Sequence, residues 1–142
     1  MSVTIASEAE LLDQMTTPTP QVVEAVARLD GDVLLLGVGG KMGPSLAELL
    51  VRAGAKKVIG VSRFSDEEQR SYLQGVGVET VSCDLLASES LKRLPDAPHV
   101  FFLAGFKFGA TGNEDTTWAM NALLPGRVVE RYANSQIVYV SS

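Results

Sequence analysis

The chain has 142 residues, 46% hydrophobic and 20% charged, with a formal net charge of −5. That length suits about one domain with a real core, and the acidic balance argues against nucleic acid or an anionic membrane surface as a partner. One cysteine, Cys83, excludes an internal disulfide, one histidine, His99, excludes a His-based metal site, and no apolar run nears the ~20 residues of a membrane span. The polar, acidic start does not read as a secretory signal, so a reducing cytoplasm is the expected location.

Residues 1–30 read as a helical N-terminal extension to a domain over 31–142. Ser7 and Glu10 fit a capping box for a helix over 8–15, which the run 16–20 breaks. Thr19 caps a second helix, with Pro20 at its first position and Val22, Val23, Val26 and Leu29 along its buried side; Gly31 ends it. From residue 32 strand and helix alternate. The first strand covers 32–36 and its helix 44–53, with Leu46, Leu49 and Leu50 at helical spacing and Gly54 as the stop. The second strand covers 57–62, and Ser65 with Glu68 predicts another capping box opening a helix to about residue 73. Asp66, Glu67 and Glu68 are then the favourable acidic first turn. A third strand at 79–82, a short helix around 89–94 and a fourth strand at 100–103 follow. A glycine-containing loop over 104–114 leads to a long helix over 115–133, kinked at Pro125 and Gly126, and a fifth strand over 136–140. Trp118 on that helix is expected in the core, with a pocket wall as the alternative. Cys83 reads as a small buried hydrophobe.

The strands are short continuous apolar runs, as in a sheet covered on both faces. Right-handed crossovers then give an α/β, Rossmann-type doubly wound parallel sheet of five strands in the order 3-2-1-4-5. The ligand crevice of such a sheet lies beyond the strand C-terminal ends, between strands one and four, so the residues just after each strand carry the functional reading.

After strand one stands the run GVGGKMG at 37–43. Gly37 permits a tight turn, Gly40 lets backbone approach a pyrophosphate, and Gly43 lets the helix pack closely, with Lys41 and Met42 at the helix mouth. The first amides of the helix then face an anion that its dipole favours. A P-loop is excluded: Met42 follows Lys41 where Ser or Thr is required, and the motif's first glycine would fall on Leu35. A methyltransferase turn and a plain connecting loop remain as alternatives. After strand two, roughly twenty residues past the last glycine, the carboxylate that binds ribose hydroxyls in NAD-preferring folds is replaced by Ser62, with Arg63 next. A guanidinium pairs with a 2′-phosphate that a carboxylate repels, and Lys41 adds a second positive charge, so NADP is favoured over NAD. The alternative is a solvated Arg63. After strand three, Asp84 suits either the adenine amino group, with Leu85 on the ring, or an ordinary helix cap. After strand four, Ala104 and Gly105 admit a flat ring system, and Lys107 reaches toward ribose hydroxyls.

Taken together these residues resemble the extended short-chain dehydrogenase/reductase superfamily, the NAD-dependent epimerase/dehydratase group. Gly37, Gly40 and Gly43 resemble its G-x-x-G-x-x-G turn. Cys83, Asp84 and Leu85 resemble its adenine contact, and the run LAGFK at 103–107 resembles its A-G-x-K run, whose lysine touches the cofactor ribose. Asn121 sits where the family has an asparagine on the long helix, and VYVSS at 138–142 resembles its fifth strand entering an S-S turn, which brings in Ser141. The resemblance covers 32–142 and implies a nicotinamide dinucleotide as cofactor, a sugar-like small-molecule substrate in a parent enzyme, and a second copy of the chain as a candidate partner. The family's catalytic Ser or Thr and its Tyr-x-x-x-Lys pair are expected after Ser142. None of Tyr72, Tyr132 and Tyr139 has a lysine four residues on. The tyrosine is the general acid/base and its lysine lowers the tyrosine pKa, so the chain alone is expected to hold nucleotide without turnover, as the front half of a larger enzyme. A non-catalytic nucleotide sensor of the same fold is the rival, and a remnant with no ligand is a third reading.

Overall fold

The computed structural model describes residues 4–105 and 111–140. Five parallel strands form one sheet: β1 (Val33–Leu36), β2 (Val58–Ser62), β3 (Glu79–Ser82), β4 (His99–Phe102) and β5 (Gln136–Tyr139), in the order β3-β2-β1-β4-β5. The register is set at β1, where Leu36 lies opposite Val61 on one side and Phe102 on the other. Every residue of β1 is buried, as a central strand covered on both faces requires.

The alternation of β1 divides the core into two layers. Leu34 and Leu36 join Ile59, Val61, Phe102, Leu124, Val128 and Tyr132 on one face. Val33 and Leu35 join Val26, Ala47, Leu50, Val58 and Leu73 on the other. The second layer is closed by α2 (Pro20–Ala27), α3 (Gly43–Arg52) and α4 (Glu67–Gly75), with α1 (Glu8–Thr16) lying on α3, and the first by α5 (Ser90–Arg93) and α7 (Leu124–Arg131), with α6 (Glu114–Trp118) contributing no buried residue.

The N-terminal helices are capped as their sequence predicts. The Ser7 hydroxyl accepts from the Glu10 amide at 3.1 Å, while the Glu10 carboxylate accepts from Ala6, one residue before the usual reciprocal position. Thr19 accepts from Val22 at 3.3 Å. Only Val26 of the expected apolar side of α2 is buried, and Val23 is exposed. Helix α1 is held on α3 by Arg52, whose guanidinium donates to the Asp13 carboxylate, the Thr16 hydroxyl and the Thr17 hydroxyl.

Three expectations are corrected. Helix α4 is capped by Asp66, whose carboxylate accepts from the Glu68 and Gln69 amides at 3.0 and 3.2 Å. An ionised acceptor beside the positive helix end outcompetes the Ser65 hydroxyl one residue further out. The long helix breaks one turn earlier than Pro125: α6 passes into a π-helical turn, Ala119–Leu123, before α7 begins. Pro125 lacks an amide hydrogen and its ring opposes the carbonyl four residues back, so the widened turn forms on its N-terminal side. Trp118 is 72% exposed and contributes nothing to the core.

Candidate functional site

The C-terminal ends of the strands open onto a cleft of about 440 Å³. Its first wall is the turn after β1. The amides of Gly37 and Val38 both donate to the Val61 carbonyl, at 2.9 and 3.0 Å, which swings the chain away from β1 and across the top of β2. Gly37 adopts φ +88°, and a Cβ there would lie 2.7 Å from the Ala104 nitrogen. Glycine is therefore required twice, by its dihedral and by the neighbouring chain. Gly43 permits the close approach of a helix to the chain leaving β1. A Cβ on it would strike the Val38 carbonyl, so it lets the helix close on its own turn. Gly40 meets nothing nearer than the Gly37 carbonyl at 3.7 Å, and its exposed face is open to the cleft.

The other walls come from the ends of β2, β3 and β4. Ser62 ends β2 and Arg63 follows it, Cys83, Asp84 and Leu85 stand after β3, and Leu103, Ala104 and Gly105 after β4. Of the residues singled out by sequence, the structure thus brings together Gly37, Gly40, Ser62, Arg63, Asp84, Leu85, Ala104 and Gly105 around one space. Lys41, Met42 and Gly43 belong to the turn but do not line it, and Lys41 and Met42 are exposed. Asn121 lies on the π-helical turn, where its Oδ1 is 3.6 Å from the Cβ position of Gly105. Lys107 and Ser141 lie outside the described residues.

The local bonding sets what each wall offers. Ser62 points inward: its hydroxyl accepts from the Phe64 amide at 3.3 Å and sits where a side chain on Gly39 would have to go. Arg63 is exposed, and its guanidinium has no hydrogen-bond or ionic partner among the described residues. The Asp84 carboxylate accepts from the Leu86 amide at 3.0 Å, closing a local turn. It does not cap α5, whose N-cap is Glu89 at φ +66°. Leu85 is buried, serving core and cleft at once, and Cys83 is half-buried against the same layer. Among the described residues no group of His, Cys, Asp and Glu is disposed to hold a metal ion, and no helix is long and apolar enough to cross a membrane.

Sequence reasoning missed two residues here. Gly39 has no room for a side chain, and the Gln69 amide of α4 donates to the Gly39 carbonyl at 3.2 Å. The extra glycine was visible in the GVGGKMG run; the glutamine carried no local signal.

A doubly wound parallel sheet with a glycine turn at its switch point defines a Rossmann-type nucleotide fold. Residues 33–142 match the model of the NAD dependent epimerase/dehydratase family, and the chain belongs to that family. Among solved structures, an epimerase from Methanothermobacter thermautotrophicus, Mth375, is 27% identical with a TM-score of 0.69, covering 88% of this chain and 39% of its own. WbmF from Bordetella bronchiseptica, in complex with NAD+ and UDP, is 19% identical with a TM-score of 0.67, covering 80% of this chain and 36% of its own. A curated relative, the hybrid PKS-NRPS synthetase tasS of Hapsidospora irregularis, is 36% identical over 76 residues, half of this chain and 2% of that protein. The chain thus spans little more than a third of these solved structures and a small fraction of the synthetase.

Proposed function

We propose that the cleft binds a nicotinamide dinucleotide, NADP in preference to NAD, as the cofactor half of an epimerase, dehydratase or reductase acting on a sugar or sugar nucleotide. The observation that carries this reading is the corner after β2. The side chain where a ribose-binding carboxylate is usual is Ser62, turned inward onto Phe64, and the next is an exposed guanidinium with no partner among the described residues. A 2′-phosphate would find charge there without competition from a carboxylate. In this reading the backbone of Gly37, Gly40, Lys41, Met42 and Gly43 grips the pyrophosphate. Asp84 and Leu85 take the adenine, while Ala104 and Gly105 lie along the nicotinamide half. Lys107, Asn121 and Ser141 contact the second ribose and ring. When bound, the dinucleotide supplies the hydride chemistry; the residues of this chain bind and orient it. Family membership supports the cofactor class, and WbmF with its NAD+ and UDP supports the sugar-nucleotide reading.

The test is a melting curve of the 142-residue chain with NADP and with NAD separately. A ligand at 100 times its Kd adds about 2.7 kcal/mol, so the preferred dinucleotide gives the larger shift at equal concentration. Arg63→Ala is expected to remove most of the difference between the two. A chain whose melting responds to neither ligand overturns the reading, and an unchanged preference in Arg63→Ala overturns the assignment of NADP.

A further inference from the structure

The turn that faces the cleft is not held by its own residues alone. Its base is held by the Val61 carbonyl on the Gly37 and Val38 amides, and within it the Gly40 amide donates to the Gly37 carbonyl at 3.3 Å, the long end of the hydrogen-bond range. A second hold comes from α4, where the Gln69 Nε2 donates to the Gly39 carbonyl 30 residues earlier in the chain. Because a peptide unit is planar, fixing the Gly39 carbonyl also fixes the Gly40 N–H on the opposite side, where it closes the turn on the Gly37 carbonyl. The side-chain oxygen of Gln69 packs 3.3 Å from the Cβ position of Gly39, a position from which the Ser62 hydroxyl already excludes a side chain.

Gln69 is itself held. Asp66 caps its amide, fixing the first turn of α4. The next residue, Arg70, donates to the Thr80 hydroxyl of β3 at 3.1 Å and lies 5.3 Å from the centre of the Phe64 ring. Phe64 is buried at φ +50° and donates its amide to Ser62. The start of α4 is therefore tied to β3, to the corner after β2 and, through Gln69, to the glycine turn.

We propose that Gln69 is a positioning residue for the phosphate-binding turn: it sets the Gly39–Gly40 peptide in the orientation that receives a dinucleotide's diphosphate, without touching the ligand. This rests on the dinucleotide reading above and extends it to a residue outside the glycine motif. The role predicts a pattern that Arg63 does not share. Loss of the Gln69 bond weakens every ligand that carries the diphosphate by a common factor, whereas loss of Arg63 alters only the preference between ligands.

The experiment is calorimetric titration of the 142-residue chain and its Gln69→Leu and Gln69→Glu variants with NADP, NAD, ADP and adenosine 2′-monophosphate. Gln69→Leu keeps bulk and removes the donor; Gln69→Glu at neutral pH sets an acceptor against the carbonyl. Gln69→Leu is expected to bind NADP, NAD and ADP roughly fivefold more weakly, the scale of one net hydrogen bond. Gln69→Glu is weaker still, and adenosine 2′-monophosphate is unaffected in both. Melting of the unliganded variants separates this from a folding defect, which would weaken all four ligands together and lower the melting temperature. Wild-type affinity in both variants overturns the proposal, as does a loss that includes adenosine 2′-monophosphate or changes only the NADP to NAD ratio. A wild-type chain that binds none of the four overturns the dinucleotide reading itself.

Discussion

The crossover from β1 through α3 to β2 and the one from β4 through α6 and α7 to β5 have the same topology and opposite tolerances. In the first, β1 is wholly buried, and Gly37, Gly39, Gly43 and Gly60 each have a neighbour within 3 Å of a would-be Cβ. In the second, β5 is mostly exposed, with Val138 at 50% and Tyr139 at 47%, and a Cβ at Gly112 or Gly126 would meet nothing. The difference teaches where this sequence is committed to one geometry. Gly37, Gly39, Gly43 and Gly60 of the first crossover are steric necessities, whereas in the second Gly126 has open space for a side chain and Gly112 is required by its φ of +80° rather than by any neighbour.

The largest test of that contrast is a pair of identical substitutions. Gly43→Ala drives a methyl into the Val38 carbonyl, which belongs to a fixed turn, and is expected to cost about 3 kcal/mol in urea denaturation. Gly126→Ala places the same methyl in open space on α7 and is expected to stabilise by about 0.5–1 kcal/mol, because glycine is a poor helix former. Equal effects of one sign would break the comparison.

Each crossover is also fastened by an arginine, and the two differ in burial. Arg131 donates to the carbonyls of Leu91 and Leu94 and pairs with Asp96, with its side chain 20% exposed. Arg131→Ala removes the side-chain donor of the Leu94 carbonyl, leaves the Leu91 carbonyl to the Leu94 amide, and is expected to cost about 2 kcal/mol. Arg52, 34% exposed, pairs with Asp13 in more solvent, and Arg52→Ala is expected to cost about 1 kcal/mol. Limited proteolysis separates them: cleavage within residues 4–17 accelerates in Arg52→Ala and not in Arg131→Ala.

The smallest effect is an alkaline one. The Tyr72 hydroxyl of α4 donates to the Glu48 carboxylate of α3 at 2.5 Å, and this bond, with lesser help from burial, pushes the Tyr72 pKa from 10.0 up to about 12. A pKa raised by folding means stability that is complete below pH 10 and lost as pH rises to about 12. Tyr72 is 40% exposed, so solvent screening keeps the contribution below about 1 kcal/mol. Tyr72→Phe is expected to flatten the pH 10–12 part of a denaturation profile.

The same contrast explains what the sequence made legible. The glycine turn, the strand order and the residues following each strand were readable because each is a local pattern with a local cause. Ser62 and Arg63 announced themselves by standing where another residue type is usual. Gln69 did not, because its partner is 30 residues away and only the folded sheet brings α4 beside the turn. The π-helical turn was half visible: Pro125 promised a break, but sequence gave no reason to place it at Ala119–Leu123. Trp118 misled because aromatic bulk favours burial on average, whereas here its side chain faces outward from α6.

The anchoring of α1 by Arg52 has a practical consequence. Gly43 begins α3 at the glycine turn and Arg52 ends it nine residues later, about 14 Å away along the helix axis. The N-terminal helices therefore fasten at the floor of the domain, remote from the entrance of the cleft. A fluorophore on the exposed surface of α1 would report loosening of the scaffold and leave the mouth clear for small molecules.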